Sequence, residues 1–236
     1  MSQYRQSPFA NIPPVVKNLL IINILCYLAE LIFKSHFNLD MFAAYYFDSP
    51  LFKPWQIITY MFMHSIEDPM HIIGNMFALF IFGPTLEYTL GSKRFFNYYF
   101  ICGIGAVLMQ NIVQGIEVYN IAGTFTAYHS NISASPDVIQ KIEAIYGNGV
   151  VGASGAIFGI LLAFGMLFPN VELFVIPIPF PIKAKYLVSC YILLELWLGY
   201  KQYSGDNVAH FAHIGGALVG FIIIKIWGLR GPQQFY

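Results

Sequence analysis

The sequence predicts an all-α membrane protein, a bundle of six transmembrane helices. Two observations carry that expectation. Of its 236 residues, 57% are hydrophobic and only 10% charged, where a soluble domain carries about 25% charged residues. The apolar residues also collect into six runs near the length of about 20 residues that crosses a bilayer core. They lie at approximately 15–33, 70–90, 95–115, 152–168, 184–200 and 208–228. The chain, 1–236, reads as a single membrane domain without internal repeats.

Residues 1–14 form a polar lead-in ending in NIPP. The first run lacks a small-residue cleavage site after a short apolar core, which marks it as retained and not as a signal peptide. Segment 34–69 is aromatic but broken by Pro and Asp, and is expected at the membrane interface, where Tyr and Trp anchor. The second run ends in LGSK, with Gly91 at the helix stop and Lys93 and Arg94 beyond it. Segment 116–151 is the one long polar stretch, expected as an external loop with a short helix at 136–146. FPNVELFVIPIPFPIKAK is a Pro-punctuated connection between the fourth and fifth runs.

Six crossings put both termini on one side. That side carries Arg5, Lys17, Lys93, Arg94, Lys183, Lys185, Lys225 and Arg230, and the other carries Lys34, Lys53, Lys141 and Lys201. The excess places the termini in the cytoplasm and segments 34–69, 116–151 and 201–207 outside. The expected location is multi-pass in a bacterial inner (cell) membrane. Zero net charge gives no basis for a nucleic-acid partner. Cys26, Cys102 and Cys190 fall in three different runs with no metal or redox spacing, and read as small buried apolar residues.

Polar residues inside the runs are costly at membrane depth, and so are candidates for function. His71 and Asn75 stand four apart, on one helical face, at the head of the second run. Ser154 opens the fourth run, in GNGVVGASGAIFG, and His210 and His213 open the sixth. All three runs enter from the outside, so these groups share one depth. Seen alone, Ser154 among glycines reads as a packing residue. The shared depth favours a second reading. Gly215, Gly216 and Gly220 on the sixth run can face Gly155 and Gly159 on the fourth, and so bring the Ser154 hydroxyl to an imidazole. That is the minimal nucleophile–base unit. Backbone N–H groups at the helix start, with side-chain donors from His71 and Asn75, suit a tetrahedral oxyanion. Gly152 and Gly155 leave room for a substrate backbone. With no Asp or Glu at a matching depth in an obvious way, the expectation is a Ser–His dyad without an acidic third member.

These residues resemble the rhomboid family of intramembrane serine proteases. The order PWQIITYMFMH (54–64), HIIGN (71–75), GPTLEYTLGSKRFFNYY (83–99), GASG (152–155) and AHIGG (212–216) matches that family's motifs over most of the chain. The resemblance implies a six-transmembrane-helix rhomboid-like bundle that cleaves transmembrane protein substrates within the lipid bilayer, without cofactor or metal. It implies Ser154 as nucleophile, His213 as general base, and His71 and Asn75 as the oxyanion hole. It selects His213 over His210, since only His213 fits Ala-His-x-x-Gly. Phe158 stands one turn after Ser154, where relatives often carry Tyr against the imidazole. Gly152, Gly155, Gly159, Gly215 and Gly216 serve close packing. The Trp-Arg pair of many relatives' first external loop is absent, and the loop before Ser154 is longer than in compact bacterial members.

His64 and His210 are then expected to donate to backbone or loop groups, Glu195 to make a structural hydrogen bond, and Glu87 to pair with Lys93 or Arg94. Trp55, Trp197 and Trp227 read as interface anchors or packing residues. Three other readings compete. An inactive rhomboid-like, client-binding protein would typically have lost the serine or the histidine. A metalloenzyme built on His64, His71, His210 and His213 lacks a metal spacing and a carboxylate ligand. A transporter would show two matching halves. Oligomeric state is left open by the sequence.

Overall fold

The computed structural model describes residues 12–33, 39–128, 130, 134–175, 178–201 and 209–231. The expectations for residues 1–11 of the lead-in, 202–207 of the last external turn and position 208 lie outside them. The described residues fold into helices, with one two-stranded β-ribbon, and six of the helices coincide with the six apolar runs.

Pro13 and Pro14 pre-set the backbone for α1 (Pro14–Ile32). Segment 39–62 adds two 3₁₀ turns and one turn of helix, α2 (Gln56–Thr59). It folds onto the bundle and buries Tyr46, Tyr60 and Met61, while Trp55 stays half exposed. Buried Gln56 holds it together, donating to the carbonyls of Asp40 and Leu51 and accepting from the Lys53 amide. Helix α3 (Pro69–Leu90) starts at Asp68, whose carboxylate accepts from the Met70 amide at 3.1 Å, and stops at Gly91. Helix α4 (Ser92–Ala122) follows at once and continues well past residue 115. Helix α5 (Pro136–Gly147) lies within the long polar stretch but turns Ile142 and Tyr146 inward. There the Asp48 carboxylate accepts from the Tyr128 amide and the Tyr146 hydroxyl, tying that stretch to segment 39–62.

Helix α6 (Ser154–Leu167) is the centre. Ten of its fourteen residues are buried, and it packs against α3, α4, α7 (Ala184–Lys201) and α8 (His210–Ile226). A helix apolar on every side and enclosed by others is a core element. The surrounding helices turn large apolar side chains outward, including Leu25 and Ile32 on α1, Phe77 on α3, Ile112 on α4 and Leu193 on α7. An apolar surface of that extent suits lipid. By length and composition α1, α3 and α4 are able to cross a membrane, whereas α6 and α8 are apolar but shorter. At about 1.5 Å per residue, α6 is about 21 Å long, less than the ~30 Å hydrocarbon core. The connection before α7 forms the ribbon of β1 (Glu172–Leu173) and β2 (Ile182–Lys183). All of this makes an all-α membrane fold.

Two packing expectations are corrected. Glu87 does not serve a charge pair: its carboxylate is buried and accepts from the Val15 amide at 3.0 Å, the Val16 amide at 2.8 Å and the Ser92 hydroxyl at 2.6 Å. The first amides of a helix have no intrahelical partner, and Glu87 supplies them for α1 from α3. Gly215 does not face α6. It turns to α4, where a Cβ would lie 2.9 Å from the Gly105 carbonyl oxygen. Gly216 and Gly220 do face α6: a Cβ on Gly216 would overlap the Gly155 carbonyl, and one on Gly220 would lie 3.1 Å from Gly159 Cα.

Glu87→Ala leaves two amides of α1 without acceptors. Loss of such charge-assisted bonds costs about 1.5–3 kcal/mol each. The expected outcome is a clear fall in the thermal unfolding midpoint in detergent, with Glu87→Gln, which keeps one acceptor oxygen, falling less.

Candidate active site

Ser154 is the first residue of α6, and His213 lies in the first turns of α8. Because glycine lets the two backbones touch at Gly155 and Gly216, Ser154 Oγ comes 2.7 Å from His213 Nε2. Phe158, one turn along α6, stacks flat on the imidazole, with ring centroids 4.3 Å apart and planes 9° apart. Tyr191 of α7 packs on the other side of Phe158 at 4.9 Å. The imidazole is thus clamped in its plane while one nitrogen meets the serine.

The approach to Ser154 is a strand-like segment. Val150 exchanges backbone hydrogen bonds with Ala44, and the Gly152 amide donates to the Tyr60 carbonyl at 2.9 Å. Gly152 has φ 123°, a conformation that side chains with a Cβ avoid. A Cβ there would also lie 2.7 Å from His71 Nε2 and 3.7 Å from Asn75 Nδ2. Gly152 therefore packs closely against the side chains of His71 and Asn75, which α3 presents one turn apart. Asn75 Nδ2 is buried and has no hydrogen-bond partner among the described residues. An unsatisfied buried donor beside a nucleophile–base pair is a group with bonding capacity in reserve.

The expected absence of an acid beside the base is overturned. Glu195 Oε2 lies 2.8 Å from His213 Nδ1 and 2.7 Å from His210 Nδ1, and all three residues are buried. His210 meets this carboxylate through Nδ1. The objection that a metal reading lacks a carboxylate also falls, since one donor atom from each of Glu195, His210 and His213 lies within 4.8 Å of the others. The spacing held the signal. Glu195 is five residues from the end of the fifth run, 184–200, and His213 five from the start of the sixth, 208–228. Antiparallel helices bring such positions to one depth; which faces meet is what the spacing leaves out. Tyr60 and Tyr191 were not foreseen either, because their contributions are a backbone carbonyl and a ring-on-ring contact.

Comparison with known proteins gives a consistent family signal. The family model described as Rhomboid domain matches residues 51–230. Rhomboid protease AarA of Providencia stuartii is 31% identical over 216 residues, covering 87% of this chain and 69% of that protein. Rhomboid protein 1, mitochondrial, of Saccharomyces cerevisiae is 28% identical over 161 residues, covering 67% of this chain and 38% of its own length. RHOMBOID-like protein 1 of Arabidopsis thaliana is 26% identical over 183 residues, covering 77% and 36% respectively. The chain thus spans less than half the length of the yeast and plant relatives.

Two expectations follow from this geometry. Gly152→Ala adds a Cβ at a strained φ and against His71. The expected outcome is a destabilisation of about 1–3 kcal/mol, measured by thermal unfolding against Gly74→Ala, whose added Cβ meets open space. His64, fully buried in the segment before α3 with its ring 5.1 Å from that of His71, has its pKa lowered to about 3, first by burial and then by the His71 charge. In the folded chain it stays neutral, while the unfolded chain takes up a proton below about pH 6.5. Stability is therefore lost as pH falls from about 6.5 toward 3. A pH series of unfolding midpoints should fall more steeply in the wild type than in His64→Phe.

Proposed function

The chain belongs to the rhomboid family, and on that premise we propose that it is an intramembrane serine endopeptidase acting on transmembrane protein substrates. The observation that carries this reading is the Ser154 Oγ to His213 Nε2 distance of 2.7 Å, at the start of α6. In this reading all six apolar helices cross the membrane, the termini are cytoplasmic, and the site opens toward the outer side of a bacterial inner membrane. Mitochondrially named relatives exist as well, so the orientation rests on the distribution of Lys and Arg and the bacterial membrane on the likeness to the Providencia protein.

Ser154 Oγ attacks the carbonyl carbon of the scissile peptide as its proton passes to His213 Nε2. The carbonyl π pair moves onto oxygen, and this oxyanion is held by Asn75 Nδ2, by His71 Nε2–H and by backbone amides at the head of α6. Collapse breaks the C–N bond, the amine leaves with the proton from His213, and Ser154 is left as an acyl ester. Water, deprotonated by the same imidazole, then hydrolyses the ester. Phe158 supports the reading by keeping the imidazole plane fixed through both proton transfers. Each donor interaction of this kind is worth roughly 3–4 kcal/mol in a serine protease.

Labelling of the full-length protein in detergent by a fluorophosphonate tests the assignment. The wild type should label and cleave a transmembrane test substrate. Ser154→Ala should do neither, His213→Ala should lose both by at least about 10³-fold, and Asn75→Ala should label but cleave about 10²-fold more slowly. A folded wild type that binds such substrates, yet neither labels nor cleaves, would instead point to an inactive client-binding member.

A further inference from the structure

We propose that Glu195 makes this site a Ser154–His213–Glu195 triad, with His210 as a second donor that holds the carboxylate in place. The inference rests on the protease reading above and names a positioning residue for it. Glu195 Oε2 lies 2.8 Å from His213 Nδ1, on the far side of the imidazole from Ser154, while His213 Nε2 lies 2.7 Å from Ser154 Oγ. The three groups form one hydrogen-bonded line.

An ionised carboxylate only accepts hydrogen bonds. Facing one, Nδ1 must carry the proton, so Nε2 is left bare toward the serine O–H, which is the tautomer a general base requires. When Nε2 takes the serine proton, the imidazolium forms opposite a fixed negative charge. The Nδ1 proton stays where it is and Glu195 stays ionised, so the only proton that moves is the one from Ser154. A carboxylate buried among apolar helices is costly unless it is satisfied. His210 meets that need: it stands three residues before His213 on the same face of α8, and its Nδ1 lies 2.7 Å from the same Oε2. Among the described residues, the other titratable groups that face this cluster are Tyr191 on α7, which packs on Phe158, and His71 on α3.

The same three donor atoms are spaced so that a divalent cation could bridge them. A cation would occupy the place of the Nδ1 proton, so the two arrangements are mutually exclusive and separable by experiment.

The full chain is reconstituted in vesicles, and kcat and KM for a transmembrane substrate are measured for the wild type, Glu195→Gln, Glu195→Asp, His213→Ala, Ser154→Ala and the double variant Glu195→Gln/His213→Ala. For Glu195→Gln the expected result is a fall in kcat on the order of 10²-fold with KM unchanged. Glu195→Asp, which keeps the charge, should recover part of that loss. In the His213→Ala background, Glu195→Gln should cost nothing further, because the carboxylate acts through the imidazole. Should Glu195→Gln fail to fold, Glu195→Asp and its fluorophosphonate labelling rate carry the comparison: a rate equal to the wild type's counts against the triad, and a lowered one supports it. A folded Glu195→Gln with wild-type kcat and a lowered unfolding midpoint overturns the triad and makes Glu195 a strut, while leaving the protease reading intact. Wild-type activity that is abolished by a chelator and restored by zinc also overturns it. Full activity in Ser154→Ala overturns the protease reading, and the triad with it.

Discussion

The fold turns on one approach between two backbones. Gly216 of α8 meets the carbonyl of Gly155 on α6 so closely that a Cβ at Gly216 would overlap it. Two helices with ordinary side chains stay about 8–10 Å apart, and glycine at this contact lets the two backbones come closer beside the Ser154–His213 pair. Other contacts fit around this one. Gly220 continues the close approach past Gly159, and the Tyr98 hydroxyl reaches the Gly159 carbonyl at 2.7 Å from α4. In lipid no hydrophobic force separates helix from solvent, so packing and interhelical hydrogen bonds carry association. Here the Ser154–His213 contact sits beside a helix pair packed on small residues.

That constraint explains where the polar groups are found. Several buried polar groups of the bundle are used by a neighbouring element. Glu87 closes the start of α1, the Tyr60 hydroxyl donates to Gly103 on α4 at 2.6 Å, and Glu195 receives two imidazoles. Asn75 Nδ2 is one of the few buried polar atoms without a partner among the described residues, and it lies beside Gly152. A fully satisfied network gives rigidity, and one donor held back from it is free for a group that arrives from outside.

Much of this was legible along the chain. Apolar run length located the helices, since a bilayer imposes a length that soluble proteins do not need. His71 and Asn75 at a spacing of four could be assigned to one face, and Ser154, His71 and His213 to one depth, because helical rise converts residue number into depth. The limits are equally physical. Helix α4 ran past 115 because polar residues such as Gln114 and Glu117 continue a helix as well as apolar ones do once it leaves lipid. Glu87 was assigned to nearby cations by proximity in sequence, yet its partners are two amides more than seventy residues away.

The sequence by itself determined the membrane class, the approximate position of the six apolar helices and most of the groups able to do chemistry. Those follow from composition and from the helical period, which are local. Only the tertiary structure decided that Gly215 faces α4 while Gly216 faces α6, that Asn75 keeps an unused donor, and that Glu195 and His210 stand behind His213. Such pairings depend on how each helix is rotated about its own axis. That rotation is set by side-chain interlock among α4, α6, α7 and α8 together, and no one segment of the chain encodes it.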